Sequence, residues 1–129
     1  MIEVANVHHV NIDVRDVDRS VKFYEEVLGL KDGPVPKSHR PLRWVYAGET
    51  PIIHISQGGA DKGDAPKDSE IFQHVAFRVT DMDAARERIE NLGIEHHLNA
   101  NEKFSVRQIF FDDPDGVTIE LIEVGGPKT

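Results

Sequence analysis

The sequence of 129 residues carries 15 Lys and Arg against 23 Asp and Glu, a formal net charge of −8. That length suits one domain able to bury its own core, and the negative charge argues against a nucleic-acid partner. There is no cysteine, which excludes disulfides, thiolate zinc sites and a cysteine nucleophile, so any metal must use nitrogen and oxygen donors.

The first ten residues, MIEVANVHHV, lack the basic and apolar regions of a signal peptide. No apolar run approaches the roughly 20 residues that span a bilayer, so the expectation is a cytoplasmic protein with no membrane partner. From His9 the chain alternates apolar and polar residues through Val14, as a half-buried strand does, and then meets Asp16-Val17-Asp18, which can cap a helix. The helix is expected over Val17 to Leu28, with Val21, Tyr24 and Leu28 at helical spacing and Gly29 placed to end it in a left-handed conformation. Strand-like segments follow at Leu42 to Ala47 and Ile52 to Ser56, joined by Ala47-Gly48-Glu49-Thr50.

Gln57 to Ser69 is rich in Gly, Asp, Lys and Pro and reads as a linker or mobile loop. The pattern then starts again. His74 to Asp83 aligns with His9 to Asp18 at an offset of 65 residues, agreeing at His, Val, Val, Asp and Asp. Met82, Ala85, Ile89 and Leu92 form the second helical stripe, with Gly93 as its stop, and strand-like segments recur at Val106 to Phe111 and Val117 to Val124. Asp113-Pro114-Asp115-Gly116 between them is a strong hairpin signal. The chain therefore reads as two copies of strand, helix and two or three strands: module 1 at about 4–57, a linker at about 58–69 and module 2 at about 70–124.

Because neighbours along a strand point to opposite faces, side-chain direction follows from the alternation. Val10, Ile12 and Val14 should pack on the first helix, with His8 on their side, leaving His9, Asn11 and Asp13 on the other face. In the second copy His74 lies opposite Val75, Phe77 and Val79, and Glu120 lies opposite Ile119 and Leu121. His54 shares a face with Ile52 and Ser56. His9 to His54 spans 45 residues and His74 to Glu120 spans 46, so the two halves supply equivalent pairs. If the modules pair about a pseudo-twofold axis, these four side chains meet in one cup. Three histidines and a carboxylate suit Zn, Ni, Mn or Fe better than Ca or Mg, which prefer all-oxygen shells.

His-His-Val-Asn-Ile at 8–12, Ser-Val-Lys-Phe-Tyr-Glu-Glu-Val-Leu-Gly-Leu at 20–30 and Asp-Pro-Asp-Gly-Val-Thr-Ile-Glu-Leu at 113–121 resemble the vicinal-oxygen-chelate superfamily. Its members include glyoxalase I, extradiol dioxygenases, methylmalonyl-CoA epimerase and the fosfomycin- and bleomycin-resistance proteins. The resemblance covers nearly the whole chain and implies an α+β fold, in which two tandem βαβββ modules form a cupped mixed sheet around a metal site. It implies that His9, His74 and Glu120 hold one divalent ion (Zn, Ni, Mn or Fe), and that the fourth position falls on His54, where glyoxalase I enzymes resembling this chain carry Glu or Gln. A small-molecule substrate and a homodimer, with sites built within one chain or across two, are implied as well.

The leading expectation is a metal-dependent isomerase or lyase whose substrate chelates the ion through adjacent oxygens, with Glu120 or water as base. The first alternative is a ferrous extradiol-type dioxygenase on a His9, His74 and Glu120 triad, with His54 as acid or base. The others are a drug- or metabolite-binding resistance protein and thiol transfer to an epoxide. For the substrate pocket, Arg107 is a candidate anion partner, and Trp44 and Tyr46, which share a strand face, are candidate walls, with Arg43 on the other face. His96 and His97 read as a solvated strand end, and Asp113 and Asp115 as turn residues.

Overall fold

The computed structural model describes residues 1, 3, 5–38, 41–58, 74–103 and 105–125. Backbone proximity divides the chain into two compact units, Met1–Ala65 and Pro66–Thr129. The first contains β1 (Val10–Val14), α1 (Val17–Leu28), β2 (Lys31–Gly33), β3 (Leu42–Ala47) and β4 (Thr50–Gln57). The second contains β5 (His74–Arg78), α2 (Met82–Asn91), β6 (His97–Asn101), β7 (Val106–Asp112) and β8 (Thr118–Val124). Each unit is thus a βαβββ module, and the fold is α+β with two four-stranded mixed sheets.

The sheet orders are β1-β4-β3-β2 and β5-β8-β7-β6. In each, the first strand runs parallel to the fourth and the remaining pairs are antiparallel. A parallel pair needs a long crossover, and the helix with the two strands after it provides that.

The helices start where the aspartates predict. Asp16 accepts the Arg19 N–H at 3.1 Å and Asp81 accepts the Ala84 N–H at 3.0 Å, caps contributing about 1 kcal/mol each. Gly29 ends α1 at φ 67°, where its N–H reaches the Glu25 carbonyl. Against α1 lie Val14, Val45, Ile53 and Ile55, buried with Val17, Val21 and Tyr24; the second core is Met82, Ile89, Ile109, Phe111, Ile119 and Leu121.

The strand that pairs with the first strand of each module also ties down the helix. The Val17 N–H donates to Gln57 Oε1 at 3.2 Å, and the Met82 N–H donates to Glu123 Oε2 at 3.1 Å. Gln57 is therefore the end of β4 rather than the start of a linker, because its amide is engaged by α1 and by the Arg15 carbonyl. The rest of the expected linker, from Gly59 on, lies outside the described residues. The second strand of each module, β2 or β6, carries little apolar signal; β6 is exposed along its whole length and is recognised only by its pairing with β7. The turn between β7 and β8 is held by Asp113, whose Oδ1 accepts the N–H groups of Asp115 at 2.9 Å and Val117 at 2.8 Å while Gly116 takes φ 87°. Among the described residues no helix is long and apolar enough to cross a membrane.

An arginine braces each helix from the strand beneath it. Arg43 on β3 binds Asp18 of α1 at 2.6 Å and Asp32 of β2, and Arg107 on β7 binds Asp83 of α2 at 2.9 Å and Glu123 of β8 at 2.8 Å. The braces differ in depth. The Glu123 side chain is 5% exposed, whereas Asp18 is 87% exposed, and stranding a buried carboxylate costs far more than losing a solvated pair. Arg107→Met should therefore lower the urea midpoint clearly more than Arg43→Met; equal losses would show that the burial of Glu123 carries no weight.

Candidate metal centre

In the first unit the candidate residues meet across neighbouring strands. His9 immediately precedes β1, and the β1–β4–β3 register sets Asn11 opposite His54 and His54 opposite Trp44. The His9 and His54 rings stack with centroids 3.7 Å apart and planes 10° from parallel, and Trp44 stacks on His54 at 4.1 Å and 12°. Two rings cannot share one face of an imidazole at such separations, so His54 is sandwiched between them. Its Nε2 is buried and has no hydrogen-bond partner. Burial pushes the His54 pKa below its ordinary value, and neighbouring His9 acts in the same direction against an opposing backbone hydrogen bond at Pro51. The neutral imidazole so favoured is the form that ligates metal.

The second unit supplies a different pair at the matching positions. Ala76, Glu120 and Phe110 lie in register across β5, β8 and β7, so Glu120 occupies the place that His54 holds in the first unit. Its side chain is 7% exposed and its Oε1 lies 3.4 Å from His74 Nε2. A carboxylate this buried needs a cationic or metal partner to offset its lost hydration. Phe110 meets the His74 ring edge-on at 6.3 Å and 81°. Each unit thus presents one pair on the face turned away from its helix; among the described residues no group of three or more His, Asp or Glu side chains is gathered closely enough to hold an ion.

The other expected site residues divide. Trp44 lies against His54 as a wall of that pair would. Tyr46, on the same face, instead packs toward β2, donating its hydroxyl to the Pro34 carbonyl and lying over Gly33, where an added Cβ would come within 2.7 Å of its ring. Arg107 does not accompany Glu120. Its register partner is Glu123, so it stands on the helix side with Ile109 and Phe111, and hydrogen bonds first to Asp83 and then to Glu123 raise its pKa above the ordinary arginine value. Its charge is matched within the unit by Asp83 and Glu123. Arg43 is committed in the same way, chiefly to Asp32. His8 is exposed rather than packed under the helix, with its Nδ1 2.9 Å from His9 Nδ1. His96 bonds the Ile94 carbonyl and His97 opens the exposed strand β6. The buried Glu123 was not anticipated, although an acid in alternation with Ile119 and Leu121 on an apolar face was its visible signal.

With this geometry in place, the family follows. Residues 6–121 match the model of the Glyoxalase/Bleomycin resistance protein/Dioxygenase superfamily, and the chain belongs to that family. It is 30% identical to the lactoylglutathione lyase of Haemophilus influenzae over 94% of each chain. It is 25% identical to the metallothiol transferase FosB of Staphylococcus epidermidis, covering 93% of this chain and 82% of that one. A solved structure of a mutant of the fosfomycin resistance protein FosX from Listeria monocytogenes, complexed with Mn(II) and 1S,2S-dihydroxypropylphosphonic acid, has the same fold. Its TM-score is 0.70 at 20% identity, over 96% of this chain and 94% of that one.

The direction of the His54 shift sets a pH dependence. A histidine harder to protonate when folded than when unfolded leaves stability intact above the unfolded value of about 6.5 and removes it as pH falls below that. In the presence of chelator, the urea midpoint should drop between pH 8 and pH 5.5, and His54→Gln should shrink that drop. An unchanged drop in the variant would show that His54 is not the group responsible.

Proposed function

We propose that the chain is a metal-dependent isomerase or lyase of glyoxalase type, in which His9, His54, His74 and Glu120 hold one divalent ion and the substrate is a small molecule with two adjacent oxygens. The observation that carries this reading is the buried Nε2 of His54, a neutral donor with no hydrogen-bond partner. Buried polar atoms are otherwise almost always satisfied, and an ion satisfies this one. The buried Glu120 beside His74 has the same need for a cation. Nitrogen and carboxylate donors together fit Zn, Ni, Mn or Fe, and the lactoylglutathione lyase and metallothiol transferase relatives support an enzyme.

When bound, the ion would supply Lewis acidity, neutralising charge that develops on the substrate oxygens. Glu120 would take the proton from the hydroxyl-bearing carbon beside the carbonyl and return it to the carbonyl carbon, while the hydroxyl proton passes to the former carbonyl oxygen, so the substrate is isomerised with no net gain or loss of protons. His9, His54 and His74 would hold the ion as neutral donors, and Trp44 would wall the site. On this reading residues 1–129 act as one domain, in a cytoplasmic homodimer with a small-molecule substrate.

Chelator-stripped protein reloaded separately with Ni, Zn, Mn and Fe, and assayed for formation of lactoylglutathione, tests the proposal. One equivalent of metal should restore turnover. His9→Ala, His54→Ala, His74→Ala and Glu120→Gln should each lower it by more than ~100-fold, beyond the loss from outer-shell changes. Oxygen uptake with a catechol, strictly dependent on ferrous iron, would replace this reading with the dioxygenase. Full metal content in His54→Ala would remove His54 from the ligand set.

A further inference from the structure

Metal-binding histidines are ordinarily aimed by a hydrogen bond from the second ring nitrogen to a carboxylate or carbonyl. In the first unit His54 has such a backbone hydrogen bond, at Pro51, and aromatic rings hold its plane as well. We propose that Trp44 is a positioning residue for the metal centre: stacked on His54, it fixes the plane of the imidazole and so presents Nε2 before an ion arrives. The inference rests on the proposed ligand role of His54.

Three observations support it. The β3–β4 register sets Trp44 directly opposite His54, so the two side chains rise from adjacent strands on one face. The planes are 12° from parallel at 4.1 Å, and His9 closes the other side at 3.7 Å and 10°. Turning the imidazole about its Cβ–Cγ bond would drive its edge into one neighbour or the other, so the sandwich removes that torsion. The atom left buried without a partner is Nε2, the one a ligand role requires. The second unit differs: Phe110 stands at the matching register position, opposite Glu120, but meets the His74 ring edge-on instead of stacking on its own register partner. A ring whose plane is already held loses less entropy on binding, which is how preorganisation strengthens affinity.

Trp44 is the one tryptophan in the sequence, so its emission reports on the stack without labelling. Co(II) titrated into stripped wild-type protein, followed by fluorescence and calorimetry, should quench the indole in step with the first equivalent bound. Trp44→Leu should weaken Co(II) binding by about tenfold or more, while Trp44→Phe, which restores a flat ring, should recover most of the affinity. In a His54→Ala background the Trp44→Leu change should have little further effect, because a positioning role acts only through that imidazole; a merely structural role would weaken both backgrounds alike. Wild-type affinity in Trp44→Leu, with clear loss in His54→Ala, would overturn the positioning role and leave the ligand role standing. Wild-type affinity in His54→Ala would overturn the ligand role itself. Should Trp44→Leu fail to fold, the wild-type emission still decides: one equivalent of bound Co(II) with no quenching places the ion away from the stack and overturns the proposal.

Discussion

The parallel pairing of first and fourth strands is the constraint from which the rest of each module follows. His9 and His54 are 45 residues apart in the chain and His74 and Glu120 are 46 apart, yet each pair is brought side by side because β1 lies along β4 and β5 along β8. Parallel strands cannot be joined by a tight turn. Closing so long a connection costs entropy, though the cost grows only slowly with length. The helix and the β2–β3 or β6–β7 hairpin offset it by filling the connection with a core: Val21 and Tyr24 on Ile53 and Ile55, Met82 and Ile89 near Ile109 and Ile119.

The two faces of each sheet then carry different chemistry. On the helix side the charges are internally matched. Arg43 and Arg107 sit on the third sequential strand of their modules beneath the helix start, each bridging an aspartate in the first helical turn to a second carboxylate on an adjacent strand. On the other side lie the aromatic rings, the buried Nε2 of His54 and the buried carboxylate of Glu120. This separation has a physical logic, since cations next to the pairs would compete with a metal for Glu120. Placing both arginines behind the sheet keeps their charge on the far side of a layer of packed side chains.

Much of this was legible in the sequence, for identifiable reasons. The repeat of His-Val-x-x-x-Val-x-Asp-x-Asp located both first strands and both helix caps, because each of those residues acts locally, through alternation or through acceptance of an N–H within three residues. Alternation likewise put Glu120 on the face away from the helix. It failed for Arg107, since Phe110 and Phe111 make both faces of β7 apolar and only the pairing of Arg107 with Glu123 identifies the side. The strand β6 escaped for a related reason. His-Leu-Asn-Ala-Asn has neither β-branched residues nor a buried face, and it is a strand only because β7 offers it a ladder. Gln57 looked like the first residue of a polar linker because its composition is polar; its amide is in fact spent on the start of α1. Features that depend on a partner distant in sequence were the ones composition could not report.

The two modules are most alike in backbone and least alike where His54 and Glu120 share one register position. If all four donors hold one divalent ion, three neutral imidazoles and one carboxylate leave it with a net positive charge, whereas a second carboxylate in place of His54 would cancel that charge. The retained charge would make the ion a stronger electrophile toward substrate oxygens. It would also leave Glu120 as the one carboxylate of the set, required both to balance the ion and to move a proton. Those two demands would conflict unless the histidines alone could hold the ion firmly. On the proposed reading Trp44 would serve that requirement, because an imidazole whose plane is already held by the indole would stay on the ion at little further entropic cost.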